Sequence, residues 1–85
     1  MKKLLEKWLK AKEKHSDRIV LVRASVFYIA FDEDAEKLHN IFGFELKNVK
    51  LMEGEHRFAS FLHFKLEEMV DKAIANGERF CATDK

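Results

Sequence analysis

The stretch that most constrains the fold covers residues 19–42, where a run of apolar residues changes its period. Residues 19–22 read Ile-Val-Leu-Val, an unbroken run typical of a strand covered on both faces. Beyond Ser25, which would serve as an N-cap, apolar residues recur at helical spacing and predict a helix with one face on the core. The positions that carry this period are Tyr28, Phe31, Ala35, Leu38 and Phe42. The sequence therefore predicts a buried strand followed by a helix whose first turn carries Phe27 and Tyr28.

Length and composition indicate one small domain. The chain has 85 residues, of which 47% are hydrophobic, an ordinary fraction for a globular protein and too high for a disordered one. Its single cysteine, Cys81, excludes an internal disulfide and fits a reducing compartment, so we expect a cytoplasmic protein. No apolar run approaches the roughly 20 residues that a membrane-spanning helix needs, so we expect no membrane partner.

The formal net charge of +1 conceals an uneven distribution. Residues 1–14 contain six lysines against two glutamates, a net charge of +4, and the rest of the chain is net negative. A strongly basic surface over the whole domain, as expected of a tight nucleic-acid binder, is therefore excluded, and phosphate affinity would have to come from a local patch. The lysines of the first helix are most simply a solvated face, with a phosphate-contacting helix as the alternative.

Periodicity predicts the order α-β-α-β-β-α-β, an α+β fold in which a mixed four-stranded sheet is packed with helices. A bulge at Asn48 is expected because the apolar alternation changes phase there. The second helix should end near Gly43, a favourable residue after a helix C-terminus, and the third at Asn76-Gly77. The predicted helices are 2–14, 26–42 and 66–75, the strands are 18–24, 44–52, 57–62 and 78–83, and a turn is predicted at 53–56.

A search for catalytic or metal-binding chemistry finds no convincing constellation. There is no glycine-rich phosphate loop. The four histidines are scattered and none has a second histidine or a cysteine at metal-ligand spacing, so we expect no metal. Cys81 lies among apolar residues, as an inert buried thiol does. We therefore expect a protein that is not an enzyme and holds no cofactor.

Several short motifs follow one another along the chain in a distinctive order. Trp8 and Lys12 precede a His15-Ser16-Asp17 turn, an apolar strand ends at Arg23, and an aromatic pair follows at Phe27-Tyr28. The further matching segments are Phe31, Glu33-Asp34-Ala35, the helix end at Asn76-Gly77 and the final Ala82-Thr83-Asp84-Lys85. In this order and spacing the chain resembles the N-terminal mismatch-recognition domain of the MutS family of DNA repair proteins, with no gap over residues 5–42.

The resemblance implies a single MutS domain I-like unit over residues 1–85 that binds mismatched or distorted duplex DNA. In the family, the aromatic of a Phe-x-Glu motif stacks on a mispaired base and the glutamate hydrogen-bonds that base. Phe27 corresponds to this aromatic. The DNA-contacting residues that we infer from the resemblance are Phe27, Tyr28, Ile29, Ser25 and Lys12.

This sequence also departs from the family pattern. Ile29 stands in place of the glutamate, and Ala24-Ser25-Val26 lacks the glycine and aspartate that precede the aromatic. The resemblance also ends with this domain, so we expect a stand-alone or excised domain. The alternative function is a protein-interaction module that kept the fold and lost mismatch reading. Helical geometry would leave Ile29 exposed beside Phe27, and an apolar patch of this kind suits a protein partner.

Overall fold

Three α-helices and five strands make up the part of the chain that the computed structural model describes, residues 1–51 and 54–83. A short 3₁₀ turn, His63–Lys65, precedes the third helix. The helices are α1 (Lys2–Lys14), α2 (Asp32–Phe42) and α3 (Leu66–Ala75), and the strands are β1 (Ile19–Ala24), β2 (Phe27–Phe31), β3 (Lys47–Leu51), β4 (Gly54–Leu62) and β5 (Phe80–Thr83).

The strands form a mixed sheet in the order β3-β4-β2-β1-β5. Three neighbouring pairs are antiparallel, and β5 runs parallel to β1 at one edge. The predicted α+β class with a mixed sheet is therefore confirmed. The predicted number of four strands is wrong, because the described residues contain a fifth strand inside the segment that was predicted to open the second helix.

The prediction that residues 26–42 form one helix is wrong over its first part, because residues 27–31 pair as strand β2 between β1 and β4. The chain reverses at Ser25-Val26, where Ser25 takes a φ of 57°. A positive φ at only the first central residue is the signature of the II′ turn, whose twist suits a two-residue hairpin. Ser25 is therefore a hairpin residue and not an N-cap. The residue before α2 is Phe31, which makes no side-chain capping bond.

Apolar residues are buried on both faces of the sheet, so the prediction that β1 is a strand covered on both faces is confirmed. Helix α1 packs on one face, where the buried residues are Leu5, Trp8, Val20, Val22, Ile29 and Phe31. Helices α2 and α3 pack on the other, where they are Ile19, Leu21, Tyr28, Ala30, Ala35, Leu38, Ala59, Phe61 and Met69. Because side chains alternate along a strand, β2 sends Phe27, Ile29 and Phe31 toward α1 and Tyr28 and Ala30 toward α2.

The predicted bounds of α1 and α3 are confirmed, and so is the predicted end of α2. Gly43 follows α2 with a φ of 77° and donates its N–H to the carbonyl of His39 at 2.9 Å. Gly77 takes the same φ after α3. Glycine adopts this left-handed conformation without a Cβ penalty, which is why it ends helices. Within the described residues no helix is both long enough and apolar enough to cross a membrane.

The hairpin of β3 and β4 differs from its prediction in three details. Strand β3 begins at Lys47 and not at residue 44, and residue 52, the predicted end of the strand, lies outside the described part. Pairing runs without interruption from Lys47 opposite Phe58 to Leu51 opposite Gly54, so the bulge at Asn48 is wrong. The apolar alternation changes phase for another reason. Residues 43–46 lie before the strand, and two of their side chains, Phe44 and Leu46, pack against the core from outside it. The turn predicted at 53–56 is also wrong for residues 54–56, which belong to β4; residue 53 lies outside the described part.

Candidate nucleic-acid interface

Phe27 is the first residue of β2 and lies where the sheet meets solvent. It pairs with Ala24 of β1 and with Leu62 of β4, so its backbone is held on both sides. Its side chain is 42% exposed, whereas Phe31 at the other end of the strand is fully buried. The ring therefore stands at the rim of the core on a rigid support. This placement leaves it available for stacking.

Two further apolar side chains share this rim. The His63 N–H donates to the carbonyl of Val26 at 2.8 Å, which ties the turn after β4 to the turn before β2. Val26 is 48% exposed and Phe64 is 66% exposed. The His63 ring meets that of Phe64 edge to face, with centroids 5.9 Å apart. We call Val26, Phe27 and Phe64 the apolar rim. Phe64 was not singled out from the sequence, where it follows a predicted strand as one of eight phenylalanines.

Ser25 lies at the tip of the same hairpin, exposed and directly before the apolar rim. Its carbonyl accepts a hydrogen bond from Arg23 Nε at 2.6 Å. The guanidinium carbon of Arg23 lies 5.5 Å from the centre of the Tyr28 ring. These contacts hold one arginine against the hairpin next to Phe27. Of the residues inferred to contact DNA, Ser25 and Phe27 are therefore brought together at the surface.

Tyr28 and Ile29 lie in the interior. Tyr28 packs on the face covered by α2 and α3, with its ring 5.9 Å from that of Phe61. Ile29 is 8% exposed and packs with Leu5 and Val22 on the α1 face. The prediction that Ile29 is exposed is wrong because it assumed helical geometry. In the observed strand, alternation turns Ile29 toward α1. The apolar patch of Phe27 and Ile29 proposed from the sequence therefore does not form.

Lys12 also points inward, at the opposite end of β2. Its ammonium donates to Asp34 Oδ1 at 2.8 Å and to the carbonyl of Arg18 at 2.6 Å, and its side chain is 11% exposed. Asp34 is fully buried, and its Oδ2 accepts from the Trp8 indole at 3.1 Å and from the Val20 amide at 2.9 Å. Lys12 is thus engaged in the core, away from the hairpin, and its position supports no direct phosphate contact.

The Asp34 carboxylate is a structural centre that the sequence did not reveal. The pKa of Asp34 is raised because burial disfavours its charged form. The hydrogen bonds from Lys12, Val20 and Trp8 act in the opposite direction and offset part of that rise. In the sequence, Asp34 stood out only as part of the matching segment Glu33-Asp34-Ala35. A signal was present, since Trp8 and Lys12 lie four residues apart on the buried side of α1. A buried indole N–H and a buried ammonium both need an acceptor.

Two acidic side chains of α2 are paired with side chains of β4. Asp32 meets His56 Nδ1 at 3.0 Å, and Glu36 accepts from Arg57 at 2.7 Å. Within residues 1–51 and 54–83, no group of three or more histidine, cysteine or acidic side chains is arranged to hold a metal ion. The described chemistry of the surface is therefore an exposed apolar rim with cationic and polar neighbours.

Comparison with known proteins identifies the family. The family described as MutS domain I matches residues 2–84 of the chain. The chain is also 32% identical to the DNA mismatch repair protein MutS of Porphyromonas gingivalis (strain ATCC BAA-308 / W83) over 85 aligned positions, which cover 96% of this chain. The aligned part spans only 9% of that relative's length. Because the family matches almost every residue, this chain belongs to the MutS domain I family.

Proposed function

We propose that this chain is a non-catalytic DNA-binding module that inserts Phe27 beside a mispaired or distorted step of duplex DNA. The observation that carries the proposal is the partly exposed Phe27 ring at the head of a strand hydrogen-bonded on both sides. Membership of a domain family found in mismatch repair proteins supports DNA as the ligand.

The energetics favour a damaged or mispaired step over a matched one. An inserted apolar wedge must unstack a base step, which costs a few kcal/mol in ordinary duplex DNA. A mispair stacks and pairs poorly, so that cost is lower there. Stacking of a base on an aromatic ring contributes about 1–3 kcal/mol. Because the Phe27 backbone is already fixed by β1 and β4, little ordering of the main chain is needed on binding.

The hydrogen bond that the family's glutamate makes to the base has no counterpart here. Ile29 is buried where the motif carries a glutamate, so no carboxylate from this position reaches the base. We therefore expect discrimination to rest on how easily a step unstacks, with no strong preference for one type of mispair. Cationic groups near the rim, from Arg23 and Lys65, would approach the phosphates on either side of the wedge.

The test is an equilibrium titration of two labelled duplexes of equal length, one matched and one with a single central mispair, at low salt. The native chain should bind the mispaired duplex more tightly. Phe27→Ala should lower affinity for that duplex by roughly 5- to 150-fold, which corresponds to about 1–3 kcal/mol. Ile74→Ala is the control, because Ile74 is an exposed apolar residue on α3. Equal affinity for the two duplexes, unaltered by Phe27→Ala, would refute the proposal.

A protein-interaction module is the second candidate, and the exposure of Phe64 favours it. Val26, Phe27 and Phe64 together offer an apolar surface that excludes Ile29, so the patch differs from the one proposed from the sequence. Exposed apolar patches of this kind mark interaction sites. Self-association in sedimentation that disappears in Phe64→Ser, together with no preference for mispaired DNA, would favour this function over the first.

A further inference from the structure

A shallow groove of about 540 Å³ lies between α1 and the edge strand β5, away from the apolar rim. Its floor is formed by residues 81–83 of β5 and by Ala11. Its wall carries Lys7, Lys10 and Lys14, with His15 at one end. Neither the apolar rim nor the Asp34 centre uses these residues, so the groove is a separate feature of the surface.

The lysines of the wall belong to a regular stripe on α1. Lys3, Lys7, Lys10 and Lys14 follow one another at spacings of four, three and four residues, which places them on one side of a helix. All four are exposed. Among residues 1–51 and 54–83 none of their ammonium groups has an ion-pair partner, in contrast to Lys12. We call Lys3, Lys7, Lys10 and Lys14 the lysine stripe.

The dimensions of the lysine stripe match a segment of nucleic-acid backbone. Eleven residues separate its ends, which is about 16 Å along a helix axis. This length corresponds to about five nucleotides of one strand of B-form DNA. Glu6 and Glu13, the acidic residues of α1, line a neighbouring depression together with Lys3, Lys7 and Lys10, and neither glutamate lines the groove beside β5. The groove side of α1 is therefore the side where positive charge is least opposed.

The orientation of α1 allows the lysine stripe and the apolar rim to contact the same duplex. The turn at residues 15–18 reverses the chain, so α1 runs antiparallel to β1 and its N-terminus lies at the Phe27 end of the sheet. The longest dimension of the domain is 35 Å, or about ten base pairs. A duplex that receives Phe27 can therefore extend along α1 within a single helical turn.

We propose that the lysine stripe, with the groove it borders, is a second DNA contact that holds the phosphate backbone independently of sequence and of mispairing. This inference rests on the proposed function, because it takes duplex DNA as the ligand. The division of roles is specific: the lysine stripe supplies affinity through counterion release, and Phe27 supplies discrimination. Each phosphate that a lysine neutralises makes the affinity more salt-dependent, with a slope of about 0.9 in log K against log salt.

The experiment measures the salt dependence of binding to a fully matched duplex. The triple variant Lys7→Gln, Lys10→Gln, Lys14→Gln is compared with Lys47→Gln, Lys50→Gln, Lys72→Gln, which loses the same charge from β3 and α3. The groove variant should reduce the slope by about 2–3 and weaken binding roughly tenfold or more at about 50 mM salt. The control should reduce the slope by less than about one. Glutamine has a helix propensity close to that of lysine, and circular dichroism checks that both variants fold.

Each outcome decides the inference. A slope that falls equally in the two variants, or no measurable binding of the native chain to any duplex, would overturn it. So would displacement of DNA by polyglutamate as efficient as displacement by unlabelled duplex, which would identify an acidic protein surface as the partner. A loss of slope together with equal binding of matched and mispaired duplexes would uphold the lysine stripe and refute the role of Phe27. If the native chain still prefers the mispaired duplex but the groove variant leaves the salt slope unchanged, the role of Phe27 would be upheld and the lysine stripe refuted.

Discussion

The two ends of strand β2 place aromatic residues in opposite environments. At its Phe31 end, Trp8, Lys12 and Asp34 form a buried and fully bonded centre. At its Phe27 end, an aromatic ring stands partly in solvent. An aromatic and a lysine in the sequence therefore do not by themselves indicate a binding site. Which of them can meet a ligand depends on the end of the strand where they lie.

The two ends also differ in how closely they keep the family's pattern. Trp8, Lys12 and Asp34 belong to motifs that this chain shares with the MutS family, and they hold helices α1 and α2 on the sheet. Ser25 and Ile29, on either side of Phe27, are departures from that pattern. By this resemblance, the buried centre keeps the family's motifs and the residues around Phe27 do not.

The largest effect should come from removing the buried carboxylate. Asp34→Ala leaves the Lys12 ammonium and the Trp8 indole buried without their acceptor, and the loss of one partner of a buried ion pair typically costs about 3–5 kcal/mol. Urea unfolding followed by circular dichroism would measure the free energy of unfolding. Glu36→Ala is the matched control, because Glu36 lies on the same helix in an exposed pair and should cost less than about 1 kcal/mol. Equal losses in the two variants would remove the distinction between the two ends.

A smaller but still substantial loss is expected when the family's glutamate is restored. Ile29→Glu removes a buried aliphatic side chain and forces a carboxylate toward α1, which should lower the free energy of unfolding by about 2–4 kcal/mol. Val26→Glu, at an exposed position in the adjoining turn, is the control and should change stability little. If Ile29→Glu were as stable as the native chain, its carboxylate would be reaching solvent. Position 29 would then belong to the rim and not to the core.

Much of the fold followed from local pattern, and the main error has a physical cause. Helices α1 and α3 and the glycine that ends α2 were predicted because a stripe and a left-handed residue are local signals. Residues 27–31 were assigned to a helix because five apolar residues in a row satisfy both periods. Pairing with β4 decides between strand and helix for these residues. The partners lie about 30 positions further along the chain, outside any local sequence window.

The candidate site was only partly predictable for the same reason. The resemblance directed attention to Phe27, whose role in binding stays a prediction. Burial of Ile29 and Lys12 depends on α1 lying across the sheet, and exposure of Phe64 depends on where β4 ends. These are properties of the tertiary fold. Spacing in the sequence can suggest which residues share a face, but it does not decide which face is covered.

The smallest expected effect concerns the turn before Phe27. Ser25 holds a φ of 57°, a conformation that costs a residue with a Cβ about 1 kcal/mol and costs glycine little. Ser25→Gly should therefore leave the free energy of unfolding unchanged or raise it by up to about 1 kcal/mol, since relief of strain is offset by greater freedom of the unfolded chain. Thermal unfolding of Ser25→Gly and Ser16→Gly, the latter in the turn after α1, would compare the two turns. A clear loss at position 25 would indicate that the turn is not strained.

The central claim is that the Phe27 ring itself reads a distorted step, and a double-mutant cycle tests it most directly. Affinities are measured for the native chain and Phe27→Ala, each with the matched and the mispaired duplex, and the coupling free energy is taken from the four values. The account predicts a coupling of about 1–3 kcal/mol, with nearly equal affinities of the two proteins for the matched duplex. A coupling indistinguishable from zero, with both proteins preferring the mispaired duplex equally or not at all, would contradict it.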